Sequence, residues 1–213
     1  MMTLIKKKKK ILIWCLIYLI FVYTTYIVSI IQQGRCFDEF LVGNLFIPQK
    51  YFFDISILFI SYLYVVKKPF HSIFFVARCK ESYLLHIVLY GLKASLFYIV
   101  YTVVLFIGIP FLNGIPIQYS GSLFFDFLNL FSFLFATYLI YILILLLSGK
   151  QMLAVLSCAV INIGLLIIYF SLGMIGQSLA MGIETFLLTS YTGIAVVLVG
   201  LIFIIFRRRD FLL

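Results

Sequence analysis

Six long apolar runs, separated by short polar breaks, occupy nearly the whole chain. A soluble domain of 213 residues cannot bury that much apolar surface, whereas a hydrocarbon core about 30 Å thick is crossed by about 20 apolar residues of helix. The runs place spans at roughly 11–31, 51–66, 86–108, 122–147, 152–172 and 191–206. In lipid every backbone polar group must be satisfied internally, so the expected fold class is all-α, a polytopic membrane protein of six transmembrane helices forming one domain over 1–213.

The charges orient the spans. With the N-terminus inside, the cytoplasmic breaks hold Lys6 to Lys10, Lys67, Lys68, Arg78, Lys80, Lys93, Lys150 and Arg207 to Arg209, which is 14 of the 16 basic residues. Arg35 and Lys50 fall outside. Most acids go the other way: Asp38, Glu39, Asp54, Asp126 and Glu184 lie at or beyond the outer boundary, and Glu81 and Asp210 inside. Lys/Arg bias in short loops sets orientation, so an even number of spans with both termini cytoplasmic is expected. Lys93 sits inside an apolar run and is counted as cytoplasmic because its stem can snorkel to the interface.

The net charge of +9 does not imply nucleic acid, because the basic residues are split among segments that flank spans. Attraction to anionic headgroups accounts for them more simply. The start, "MMTLIKKKKKILIWCLIYLIFVYTTYIVSII", has a basic n-region but an apolar stretch of about 20 residues and no A-x-A site, so it reads as a retained span. Cys15, Cys36, Cys79 and Cys158 show no C-x-x-C spacing, and one of them faces outward, so no disulfide is expected.

Residues 67–86, "KKPFHSIFFVARCKESYLLH", lie on the expected cytoplasmic side. Pro69 suits a first helical turn, where its missing N–H costs nothing. Phe70, Ile73, Phe74 and Ala77 recur at i, i+3, i+4 and i+7, while Lys68, His71, Ser72, Arg78 and Cys79 take the other side, which Phe75 interrupts. This amphipathic helix either lies along the membrane surface or docks into a partner. The break "GIPFLNGIPIQYSG" reads as turns at the outer interface. The 173–190 segment, "GMIGQSLAMGIETFLLTS", reads either as a short external or re-entrant helix or as a plain amphipathic loop.

Little in the chain suits a reaction. His71 and His86 are 15 residues apart without an H-E-x-x-H pattern, and the Gly149-Lys150 pair lacks the glycines of a phosphate-binding loop. No enzyme activity, cofactor or metal is expected. Ser61, Ser95, Ser132 and Ser157 read as packing residues. Ionisable residues within spans are the default functional candidates: Asp126, Asp54 and Lys93. Asp126 and Asn129, three residues apart on one side of a helix, either form a polar patch at the outer mouth of a path or mark the membrane boundary. Asn129 and Asn162 are expected to make interhelical hydrogen bonds.

The stretch "SIFFVARCKESYLLH" followed by "GLKASLFYIVYTVVLFIG" resembles the cytoplasmic coupling segment and third span of small six-span permeases of type 2 ABC exporters, as found in Firmicutes. Arg78, Lys80, Tyr83, Leu84, Leu85 and Lys93 stand in the places of that pattern, and "FRRRDFLL" resembles the tail after the sixth span. The resemblance implies a subunit of a bacterial plasma-membrane exporter, working as a homo- or heterodimer with separate ATP-binding-cassette ATPase subunits. It further implies ATPase coupling through Phe70, Ile73, Phe74, Ala77 and Arg78, and substrates such as peptides or amphiphiles. Two other readings share the topology: a non-transporting bacteriocin-immunity or accessory protein, and the substrate-capture subunit of a vitamin importer. The latter expects a small-Ala face on span one, and "ILIWCLIYLIFVYTTYIV" has no Ala.

Overall fold

The structure, a computed structural model, describes residues 2–33, 40, 45, 50–66, 80–116, 123–176 and 183–208. Among these there is no strand. Helix α1 is Met2–Gln33; a π-helical turn, Lys50–Ile55, leads into α2, Ser56–Val66; then come α3, Lys80–Leu112, α4, Leu123–Ser148, α5, Gln151–Gly176, and α6, Ile183–Arg208. Among the described residues, three stretches are long and apolar enough to cross a membrane: Lys9–Ile31, Leu85–Leu112 and Asp126–Ser148. Three shorter apolar stretches are Phe52–Val66, Gln151–Ile167 and Tyr191–Ile205. The π turn and α2 together rise about 25 Å, a little less than a hydrocarbon core.

Local chemistry fixes where the helices stop. No Gly or Pro interrupts α1, and Gly34 follows its last residue. At the end of α3 the Ile115 N–H donates to Pro110 O (3.1 Å) and the Gly114 N–H to Phe111 O (3.0 Å), with Gly114 at φ 75°. That is a Schellman closure, which needs a left-handed residue and gets glycine. Ile115, just beyond, is buried as the motif's hydrophobic contact. The break read as turns is therefore helical as far as Leu112, with Pro110 inside the last turn. The α4–α5 connection is two residues long, Gly149 (φ 66°) and Lys150, with the Gly149 N–H on Leu145 O at 2.8 Å, so these helices run antiparallel.

Helix α4 is the hub. Leu130, Phe133, Leu134, Tyr138 and Leu139 point in different directions around it and are all buried. It packs most extensively on α6, then α5, then α3. Against α3, the Tyr138 ring lies flush on Gly91, where any Cβ would enter the ring, and Tyr138 Oη donates to Ile87 O (3.0 Å). Against α5, Cys158 Sγ meets Thr137 O at 3.5 Å. Ala154, Cys158 and Asn162 recur every four residues, and this small, buried face lets the two backbones approach. Phe52, Phe133 and Tyr191 join the π turn, α4 and α6, with ring centroids 5.2 Å apart for Phe52–Phe133 and 5.3 Å for Phe133–Tyr191.

Helix α1 buries one stripe, Trp14, Tyr18, Val22, Tyr26 and Ser29, and exposes Leu12, Ile13, Leu16, Ile17 and Ile20. A soluble helix would expose polar residues there. The same inversion holds for α3, where Leu96, Val100 and Val104 are exposed while Ser95 and Thr102 are buried. Polar groups inside and large aliphatic groups outside suit a hydrocarbon surrounding.

Candidate functional site

The segment 67–79, with Phe70, Ile73, Phe74, Ala77 and Arg78, lies outside the described residues, as does 177–182. The other expected site falls on α4. Asp126 is half-buried in its first turn, where the free backbone N–H groups favour a carboxylate. Asn129, one turn on, is buried, and its Oδ1 has no hydrogen-bond partner. Asp54, the other acidic candidate by sequence, forms an ion pair with Lys50 at 2.8 Å in the π turn. Both side chains remain partly exposed, so solvation accounts for them.

Asn129 is not alone. Ser95 Oγ in α3, Thr137 Oγ1 in α4, and both Nδ2 and Oδ1 of Asn162 in α5 are also buried without partners. Asn162 has 1% of its surface exposed. Among the described residues, therefore, neither polar atom of Asn162 and not the Asn129 carbonyl makes the expected interhelical bond. Asn162 lies one turn beyond Cys158, which touches Thr137, so in the antiparallel pair it comes level with Phe133. Sequence reading marks Asn162 as polar within a span but carries no signal that its partner is missing, because that depends on the side chains facing it.

A second polar-aromatic cluster joins α1, α2 and α3, and neither the apolar periodicity nor a motif announces it. Trp14 Nε1 donates to Ser61 Oγ (2.9 Å), Tyr101 Oη donates to Cys15 O (2.7 Å), and Tyr98 Oη donates to Ile55 O (3.1 Å). Tyr18 Oη and Thr102 Oγ1 share a hydrogen bond of 2.9 Å. Ring centroids lie 5.3 Å apart for Trp14–Tyr18, 5.0 Å for Trp14–Tyr62 and 5.5 Å for Tyr18–Tyr98. Every named donor is satisfied, so this cluster fastens three helices. It contrasts with the unpaired groups of α3, α4 and α5.

The described charges separate by end. Gln151 Nε2 donates to Tyr64 O (3.3 Å), which brings the last turn of α2 to the α4–α5 turn with its Lys150. Lys50, Asp54 and Asp126 stand at the opposite ends of α2 and α4. Among the described residues no three His, Cys, Asp or Glu side chains gather to hold a metal. Comparison of the chain with protein-family models, curated proteins and solved structures gives no match. What is shown is an all-helical protein with helices suited to a membrane.

Proposed function

We propose that this chain is the membrane-spanning permease subunit of an ABC exporter, crossing the bacterial plasma membrane six times and driven by separate ATP-binding subunits. Supporting the crossings, α5 and α6 each run 26 residues, about 39 Å, although their most apolar stretches are shorter. Supporting the partner are the amphipathic face of residues 70–77 and the resemblance of residues 67–107 and of the tail to such permeases. ATP-driven closure of the partner subunits would push the helix near residues 68–82 and rotate the spans between inward- and outward-facing arrangements.

The observation that carries the reading is the set of buried polar groups of α3, α4 and α5 that have no partner among the described residues. A bundle with a single arrangement gains by replacing such groups with apolar ones, since each unsatisfied atom costs about 1–3 kcal/mol. A bundle that alternates between two packings keeps them for the state in which they find partners.

The test is co-purification from the native membrane. The chain should bring with it an ATP-binding protein and show no ATPase activity on its own. Replacing Phe70 and Phe74 with Ala should weaken that association by about 2 kcal/mol or more if both are anchors. ATP hydrolysis by the chain alone contradicts the proposal. A chain that purifies without an ATPase, yet still confers resistance to a peptide toxin, supports the immunity reading instead.

A further inference from the structure

The backbone at Lys50–Ile55 is π-helical and runs directly into α2 at Ser56. Such turns are rare and concentrate at functional sites. A π turn takes one more residue than an α turn, so where it passes into an α-helix one carbonyl is left without an N–H of its own. Two hydroxyls meet carbonyls at this junction. Ser56 Oγ, fully buried, donates to Phe52 O at 2.6 Å, and Tyr98 Oη of α3 donates to Ile55 O at 3.1 Å.

The extra residue decides what Phe52 touches. Phe52 is buried, with its ring centroid 5.2 Å from that of Phe133 in α4 and 6.4 Å from that of Tyr191 in α6, while its neighbour Phe53 is exposed. On an α-helix each residue turns the chain by about 100°. Closing the π turn to α therefore carries Phe52 off both rings, toward the exposed side that Phe53 now takes. The ion pair does not oppose this closure, because Lys50 and Asp54 are four residues apart and stay neighbours on an α-helix. The two hydroxyls do oppose it. In an α register these carbonyls have their own N–H groups, so the extra donors count for most while the turn is wide.

We propose that the π turn is a register switch built into the start of α2. In the wide register Phe52 is wedged on Phe133 and Tyr191 and holds this end of α2 to α4 and α6. In the α register the surplus residue passes to the chain before Lys50, Phe52 withdraws, and α4 and α6 are released at Phe133 and Tyr191. The switch is a property of the chain by itself and does not depend on an ATPase or on export.

The test is cross-linking of the full-length chain in its membrane, with Cys15, Cys36, Cys79 and Cys158 replaced by Ala and with Phe52→Cys and Tyr191→Cys introduced. A short bis-thiosulfonate reagent should join the two thiols in the otherwise native sequence. Deleting the exposed Phe53 should close the turn to α and slow that reaction by about fivefold or more, the worth of one hydrogen bond. Ser56→Ala combined with Tyr98→Phe, at unchanged length, should slow it by a similar factor. Tyr138→Phe, which takes a buried phenol hydroxyl from a helix carbonyl elsewhere, should leave it unchanged. A control pair, Thr137→Cys with the native Cys158 kept, reports α4 against α5 and should cross-link alike in every variant. An unchanged rate in the Ser56→Ala, Tyr98→Phe variant overturns the switch, as does a native register that fails to cross-link. An equal fall in Tyr138→Phe overturns it as well, since that is general loosening of the bundle. So does loss of the control pair on deletion of Phe53, because the bundle then does not accept the α register.

Discussion

Asn162 shows what a single side chain contributes here. Its amide is buried with both polar atoms unpaired, so Asn162→Leu should raise the midpoint of thermal unfolding in detergent, a gain of about 1–3 kcal/mol. If the amide serves the second arrangement of the bundle, the same variant should export poorly. A variant that is destabilised instead would mean that the amide has a partner in the resting protein. Gly91 is the converse case, a residue fixed by shape. A Cβ there enters the Tyr138 ring, so Gly91→Val should cost about 1–3 kcal/mol, and pairing it with Tyr138→Ala should recover part of the loss. Thermal unfolding of the single and double variants measures the coupling. Asp126, half-buried at a helix start, is placed as a boundary carboxylate, so Asp126→Asn should assemble and export as the wild type does. Loss of export with assembly intact would make it part of the path.

Between elements, the cluster around Trp14 ties α1 to α2 and α3. Trp14→Ala removes ring contacts to both neighbours and should cost about 3–5 kcal/mol. Tyr18→Phe should cost far less, about 1 kcal/mol, because Thr102 Oγ1 also donates to Tyr98 O and stays satisfied. Limited proteolysis and thermal unfolding distinguish a detached α1 from a bundle that has lost one hydrogen bond. The helices themselves were legible in the sequence, since runs of Leu, Ile and Phe in this density leave the backbone no alternative in lipid. Their ends were less so. The run at 86–108 proves to be a helix from Lys80 to Leu112, because the helix continues past Gly108 and, at Pro110, through a residue usually read as a stop. The Gly114 closure is visible in the sequence only once the helix is known to reach it. The candidate site was legible in residue type at Asn129 and Asn162, and not in partnership. Which helix faces each one follows from close approaches such as Gly91–Tyr138 and Cys158–Thr137, which no periodicity encodes.

At the scale of the whole molecule, composition and packing agree on the surroundings. The outside of α1 and α3 is aliphatic, and the polar side chains of those helices turn inward. The proposed orientation rests on charge. On the proposed topology 14 of the 16 basic residues, Lys93 counted by snorkelling, belong to one side, and Lys150 stands at the opposite end of α4 from Asp126. Moving lysines across should therefore disturb insertion more than it disturbs packing. Replacing Lys6 to Lys10 with Gln, together with added lysines in the Gln118 break, should yield a mixed orientation in reporter fusions. A uniform orientation would show that the N-terminal run does not govern it.

The six-span topology carries the account, and single-cysteine labelling in intact cells tests it most directly. In a background with Cys36 replaced, cysteines at Gln118 and Gln177 should react with a membrane-impermeant thiol reagent, and one at Ser72 should react only after the membrane is opened. Labelling of the Ser72 position from outside, or protection of both Gln118 and Gln177, would contradict it.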